Sequence, residues 1–75
     1  QNNESMRIEY ETKRKKIHLI RDIEPHGMFH SDSTGREILV SWDNTVGEIR
    51  AFIVSNIIKW SFLGKNFTKK FNVRN

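Results

Sequence analysis

The chain has 75 residues, which fits one small domain and leaves little interior for both a core and a deep catalytic cleft. Hydrophobic residues make up 36% and charged residues 29%, and there is no cysteine, so disulfides, thiolate metal sites and thiol nucleophiles are excluded. The net charge of +4 is concentrated in residues 44–75, which carry six basic groups and one acidic group. This asymmetry favours an anionic partner or a solvated basic surface.

The N-terminal part predicts two strands. Residues 1–5 are polar and lack periodicity, so we expect a disordered lead-in or linker. Apolar and charged residues alternate from Met6 to Glu11, which is typical of a strand with one buried face. The basic run at 13–16 favours a solvated hairpin tip over a nucleic-acid or nuclear-targeting segment. A second strand follows over residues 17–23, and Pro25 is expected to end it.

The middle of the chain predicts a loop and two more strands. Glycine, serine, threonine and aspartate in residues 26–35 indicate a loop of about ten residues. Residues 36–43 alternate again as a third strand, and residues 43–47 form a hairpin turn with the permissive Gly47 near its end. Residues 48–54 are apolar on both faces, so the fourth strand is expected to be central.

The C-terminal part predicts a fifth strand over residues 57–63, with one helical turn over residues 56–63 as the alternative. Residues 68–75 form a basic tail. Phe67 and Phe71 are expected to close the open end of the fold, or else to contact a membrane surface or a partner. Trp42 and Trp60 are in phase with aliphatic neighbours, so core packing is favoured over base stacking.

Five short strands joined mostly by hairpins predict an all-β fold, a small, strongly bent, antiparallel five-stranded barrel. SH3-like and OB-like barrels both fit this pattern. The lack of a helix-sized insert between the middle strands favours the SH3-like (Sm-like) version. The barrel is expected to span residues 6–67.

Four segments together resemble a WYL domain: residues 21–26, residues 35–42, residues 47–52, and residues 56–58 with Phe67. The resemblance runs from Ile8 to Phe67. It implies an SH3-like barrel that senses nucleic acid or nucleotide-like effectors in a bacterial or phage transcription regulator, usually after a helix-turn-helix domain. Glu37, Ile38 and Leu39 stand at the naming Trp-Tyr-Leu position and keep only the leucine.

The resemblance also implies an anion-binding group formed by Arg21, His26 and Arg50, with Arg36 and Lys59 as second candidates. Guanidinium groups bind phosphate through two parallel hydrogen bonds, and an imidazole can donate another. Asn56 stands where the family usually has a second arginine.

Two of these residues have structural alternatives. Arg50 could pair with Glu24 or Glu48 across the sheet, and His26 could be satisfied by backbone groups.

No residues at functional spacing indicate an enzyme. Three histidines at 18, 26 and 30 could suggest a metal site, but no cysteine supports one. Ser31, Asp32 and Ser33 are better explained by turn chemistry than by nucleophilic catalysis. We therefore expect a cytoplasmic, non-enzymatic binding module without cofactor, metal or membrane partner. The alternative function is protein interaction or homodimerisation through a sheet edge or the Phe67 and Phe71 tail.

Overall fold

The fold is a single antiparallel sheet, seen in a computed structural model that describes residues 3–73. The strand order is β4-β3-β2-β1-β5. The elements are β1 (Glu4–Glu11), β2 (His18–Ser31), β3 (Arg36–Asp43), β4 (Glu48–Ile53), a 3₁₀ turn (Val54–Asn56) and β5 (Ile57–Asn66). The all-β, five-stranded antiparallel class predicted from the sequence is confirmed. No helix in the described residues is long and apolar enough to cross a bilayer.

The core lies where β1, β2 and β4 face one another. Its buried apolar side chains are Ile8, Tyr10, Ile23 and Phe52. The Tyr10 and Phe52 rings meet edge to face, with centroids 5.2 Å apart. The Tyr10 hydroxyl accepts a hydrogen bond of 3.0 Å from the Ile53 backbone N–H. This bond joins β1 to the edge strand β4, as expected for a strongly bent, barrel-like sheet.

Pro25 does not end β2, and the predicted loop over residues 26–35 is wrong. Strand β2 continues to Ser31, and only residues 32–35 form a turn. The register between β2 and β3 shifts between Pro25 and Gly27, so His26 is the extra residue of a β-bulge. A bulge tolerates proline because the ladder is already interrupted there.

Two further expectations about strand position are corrected. β4 is an edge strand, not a central one, because its only ladder partner in the described sheet is β3. Trp60 is not a core residue, since 58% of it is exposed on the other edge strand, β5. The first error arises because a strand with apolar side chains on both faces can still lie at an edge, and the second because an in-phase apolar face need not be covered by the rest of the fold.

The two ends of the described chain differ from their predicted boundaries. Strand β1 begins at Glu4, so Glu4 and Ser5 belong to the sheet although they were expected in a disordered lead-in. Residues 1 and 2 of that lead-in and residues 74 and 75 of the basic tail lie outside the described residues. β5 extends to Asn66, three residues beyond its predicted end.

The two tight turns of the sheet both depend on glycine. Gly35 and Gly47 each have a φ of 70°, in the left-handed region that side chains with a Cβ rarely adopt. Each donates its N–H to the carbonyl four residues earlier, Ser31 and Asp43 respectively, at 2.7 Å. The turn predicted at residues 43–47 is confirmed.

Candidate anion-binding site

Arg21 points to the buried side of the sheet and pairs with an acid. Its Nη1 donates to Asp43 Oδ2 at 2.9 Å, and the Asp43 side chain is fully buried while that of Arg21 is 18% exposed. The other Asp43 oxygen accepts from the Thr45 N–H at 2.9 Å. The pair therefore joins β2 to the end of β3. Because Asp43 already neutralises the guanidinium charge, Arg21 is poorly placed to bind an anionic ligand.

His26 is satisfied on both ring nitrogens. Its Nδ1 lies 2.7 Å from the Glu24 carbonyl oxygen, which can only accept, so Nδ1 carries the proton. Its Nε2 then accepts the Lys70 backbone N–H at 2.8 Å. The ring is stacked against Phe67 and Phe71, with centroids 5.3 and 3.9 Å away. These contacts favour the structural alternative that the sequence left open for His26.

Residues 67–73, which we call the strap, have no regular secondary structure and cross the face of β2 and β3 that carries Glu24 and Trp42. Lys70 Nζ donates to Glu24 Oε1 at 2.5 Å and lies 5.7 Å from the centre of the Trp42 ring. The strap thus buries the outer face of β2 opposite Ile23. This is why Ile23 and Glu24, successive residues with opposite side-chain directions, are both buried.

Glu24 is ionised in this arrangement. Burial acts to raise the pKa of its carboxyl, but hydrogen bonds from Lys70 and Asn44 outweigh that effect, and the net pKa is lowered from 4.5. The residues Arg21, Asp43, Glu24 and Lys70 form what we call the ion-paired region. Each of its two cations is paired with one carboxylate.

Arg50 and Lys59 lie on opposite edges of the sheet. Arg50 on β4 pairs with Glu48 at 3.3 Å, and both side chains are largely exposed. Lys59 on β5 lines an open groove of about 370 Å³ together with Arg7, Trp60 and others. Arg7 is itself bound to Asp22 at 2.7 Å, and that hydrogen bond lowers the pKa of Asp22. The five predicted site residues are therefore spread over the sheet and do not meet at one cavity.

Arg36, the remaining predicted residue, lines a different cavity with two cations from the β1–β2 hairpin. This basic pocket has a volume of about 430 Å³. It is lined by Lys13, Arg14, Arg36, Ile53, Ser55 and Asn56. No acidic side chain lines it, and within residues 3–73 none of the ion pairs involves its three cations. Its volume is in the range of small-molecule sites.

Three separate elements build the basic pocket. Thr12 closes the β1–β2 hairpin by donating its N–H to the Ile17 carbonyl at 3.0 Å and accepting the Ile17 N–H on Oγ1 at 3.1 Å. Arg36 is the first residue of β3, opposite Ser31. The 3₁₀ turn between β4 and β5 supplies Ser55 and Asn56, and Asn56 is anchored by a 3.5 Å hydrogen bond to the Tyr10 hydroxyl.

The sequence contained part of the signal for this pocket. The repulsion and polarity of the basic run at 13–16 predict a solvated hairpin tip, and nothing in the sequence places this run beside Arg36. A second cavity of about 300 Å³ adjoins the pocket, sharing Lys13, Ser55 and Asn56 and adding Lys16 and Glu11. Among the described residues, no group of three or more His, Asp or Glu side chains could hold a metal ion.

Comparisons with known proteins support the fold class found here. No protein-family model and no curated protein matches the chain. Among solved structures, it is similar to proteasome accessory factor B/C (PafBC) of Arthrobacter aurescens, with 27% sequence identity and a TM-score of 0.78. The match covers 93% of this chain and 11% of PafBC, so the chain spans about a ninth of that protein's length. The likeness supports the WYL-like fold expected from the sequence.

Proposed function

We propose that the domain is a WYL-like regulatory sensing module that binds an anionic ligand, a nucleotide or a nucleic acid, in its basic pocket. The observation that carries this proposal is the group of three cations, Lys13, Arg14 and Arg36, around one cavity that no acidic side chain lines. Mutual repulsion makes such a cluster costly without an anion, and a phosphate would relieve it. The likeness to PafBC over 93% of this chain supports a regulatory sensing role.

The side chains of the pocket suit phosphate chemistry. Arg14 and Arg36 each offer a planar fork of N–H donors for two phosphate oxygens, and Lys13 adds a point charge. Ser55 and Asn56 add uncharged hydrogen-bonding groups at the same cavity. None of these groups forms a nucleophile and base pair, and we propose a binding function without catalysis. A helix-turn-helix domain in the parent protein and a cytoplasmic location belong to the same proposal.

The proposal places the ligand away from Arg21, His26 and Arg50. Arg21 would have to leave a fully buried Asp43, and His26 would have to lose both its hydrogen bonds. Arg50 is easier to recruit, because its pair with Glu48 is exposed. We therefore propose Arg36, with Lys13 and Arg14, as the principal ligand contacts.

A labelled single-stranded oligonucleotide, followed by fluorescence anisotropy at several salt concentrations, tests the proposal. The double variant Arg14→Gln/Arg36→Gln should weaken binding at least about tenfold and lower the slope of log K against log salt by about 1.4, since each phosphate contact on a single strand contributes about 0.7. Arg50→Gln is the matched control and should bind like the wild type. Equal affinity of the double variant and the wild type would refute the pocket as the site.

A second function, protein interaction through a sheet edge, is favoured by β5. This edge strand exposes Ile58, Trp60 and Phe62 at 53%, 58% and 56%. Together they form an exposed apolar patch on an edge strand, and such patches are typical of protein interaction sites. Size-exclusion chromatography with light scattering would show oligomers that Trp60→Ser disperses. A wild-type monomer at every concentration would contradict self-association through this edge.

A further inference from the structure

The strap is held by polar contacts at two residues: Phe67, whose N–H donates to the Asn3 carbonyl at 2.9 Å, and Lys70, which contacts two groups that acid can protonate. The Lys70 backbone N–H donates to His26 Nε2, and its ammonium donates to Glu24 Oε1. The Phe67 and Phe71 rings pack on the same imidazole, and the Phe71 ring is parallel to it. Protonation of His26 Nε2 removes the acceptor of the Lys70 N–H, and protonation of Glu24 removes the charge that the Lys70 ammonium pairs with.

Protonation of His26 has a defined geometric consequence. Because Nδ1 already donates to the Glu24 carbonyl, the added proton must go on Nε2, which faces the Lys70 N–H at 2.8 Å. Two donors would then point at each other in a site where His26 is only 9% exposed. With the strap released, water could accept from Nε2, so protonation favours the released state.

Other charged groups around His26 do not reverse this preference. Glu24 attracts an imidazolium, but its carboxylate already accepts from Lys70 and Asn44. The aromatic rings of the strap also attract a cation, yet they leave the Nε2 proton without an acceptor. Across the bulge, β3 presents Ser41 and Val40, which are uncharged, and Arg50 one strand further is paired with Glu48.

Gly27 shows how closely the strap fits the sheet. A Cβ placed on Gly27 would lie 2.9 Å from Val73 Cβ, closer than real Cβ atoms approach each other. The strap thus occupies a shallow channel whose floor has no side chain at this point. The Phe67 N–H continues the pairing of β1 and β5 through its bond to the Asn3 carbonyl. Beyond Phe67, the contacts of the strap within the described residues are side-chain contacts and single hydrogen bonds, so this part can leave without disrupting the sheet.

We propose that residues 67–73 are an acid-released strap, held on the sheet by neutral His26 and ionised Glu24 and released by protonation of His26. Protonation of His26 removes the acceptor of the Lys70 N–H, and protonation of Glu24 would in addition remove the charge that pairs with the Lys70 ammonium. Release uncovers Glu24, Gly27 and Trp42. The inference concerns a different surface from the basic pocket and does not depend on ligand binding there.

An NMR titration of the full chain tests the inference. The ring protons of His26 and Phe71 should shift with one shared midpoint, and the hydrogen-exchange protection factor of the Lys70 amide should fall at least about tenfold across it. Core amides such as that of Ile8 should keep their protection across the same step. Titration of His26 without any loss of Lys70 protection would overturn the inference.

Two variants separate the contribution of the His26 ring from that of the Lys70 side chain, and a third variant is the control. His26→Gln should abolish the shared transition, and Lys70→Met should retain it because the backbone N–H remains. The control His30→Gln removes an exposed histidine, which contacts Glu37, and should leave the transition unchanged. If His26→Gln does not fold, the wild-type titration still decides, since it compares His26 with Lys70 in one molecule.

Discussion

The ion-paired region and the basic pocket use the same types of residue in opposite ways. In the ion-paired region, Arg21 and Lys70 each meet a buried carboxylate at hydrogen-bonding distance. In the basic pocket, Arg14 and Arg36 line a cavity that has no acidic residue. The difference shows that an arginine in a binding-site motif is informative about a ligand only once its protein partners are known.

The largest loss of stability is expected from a substitution that breaks an ion pair in the ion-paired region. Arg21→Ala leaves Asp43 fully buried without its cation, and breaking one partner of a buried pair costs about 3 kcal/mol or more. Urea denaturation would measure this loss. Arg14→Ala, in the basic pocket, is the matched control and should change stability by less than about 0.5 kcal/mol. Similar small losses of stability in both variants would show that Arg21 contributes no more to the folded state than Arg14 does.

The next largest loss of stability is expected at Gly27, where the strap packs closely against β2. Gly27→Ala should cost about 1–2 kcal/mol, because its Cβ would crowd Val73 at 2.9 Å. Val73→Gly in the same chain removes the crowded Cβ and should recover part of that loss. A double-mutant cycle on thermal unfolding would measure the coupling. Additive effects of the two substitutions would mean that Val73 does not lie over Gly27.

A smaller effect comes from the charge of Glu24. Its folded-state pKa is below the ordinary value of 4.5, so its stabilisation is complete above that pH and is lost as the pH falls through the folded pKa. Glu24→Gln should cost about 1 kcal/mol at neutral pH, the usual scale of such hydrogen bonds. Unfolding free energies of the variant should also depend less on pH in acid. A pH dependence equal to that of the wild type would exclude this role.

The smallest effect is expected at Arg50, which lies outside both regions. Its pair with Glu48 is exposed, and such pairs contribute less than about 1 kcal/mol. Arg50→Ala should therefore leave both the unfolding free energy and oligonucleotide affinity nearly unchanged. Chemical denaturation and anisotropy on one preparation would measure both. A marked loss of affinity would return Arg50 to the ligand site.

Local signals predicted most of the fold. Alternation located β1 and β3, and Gly47 identified the turn between β3 and β4. The length of β2 was missed because Pro25 normally ends a strand, and the bulge that accommodates it depends on tertiary pairing. The exposure of Trp60 was also missed, because alternation does not show which apolar face the fold will cover.

The site was less predictable for a similar reason. The partner of Arg21 is Asp43, on the next strand, and only the register between β2 and β3 brings them together. The basic pocket joins residues from the first hairpin, β3 and the 3₁₀ turn, which are far apart in the sequence. Sheet curvature places them side by side, and no local pattern encodes that curvature.

The most direct test of the difference between the regions is a titration of the ¹⁵N-labelled domain with inorganic phosphate. Binding to the basic pocket predicts saturable amide shifts at residues 13–16, Arg36, Ser55 and Asn56, with Arg21 and His26 unmoved. Shifts centred on Arg21, His26 and Arg50, with the hairpin unmoved, would contradict the account and restore the site implied by the family resemblance.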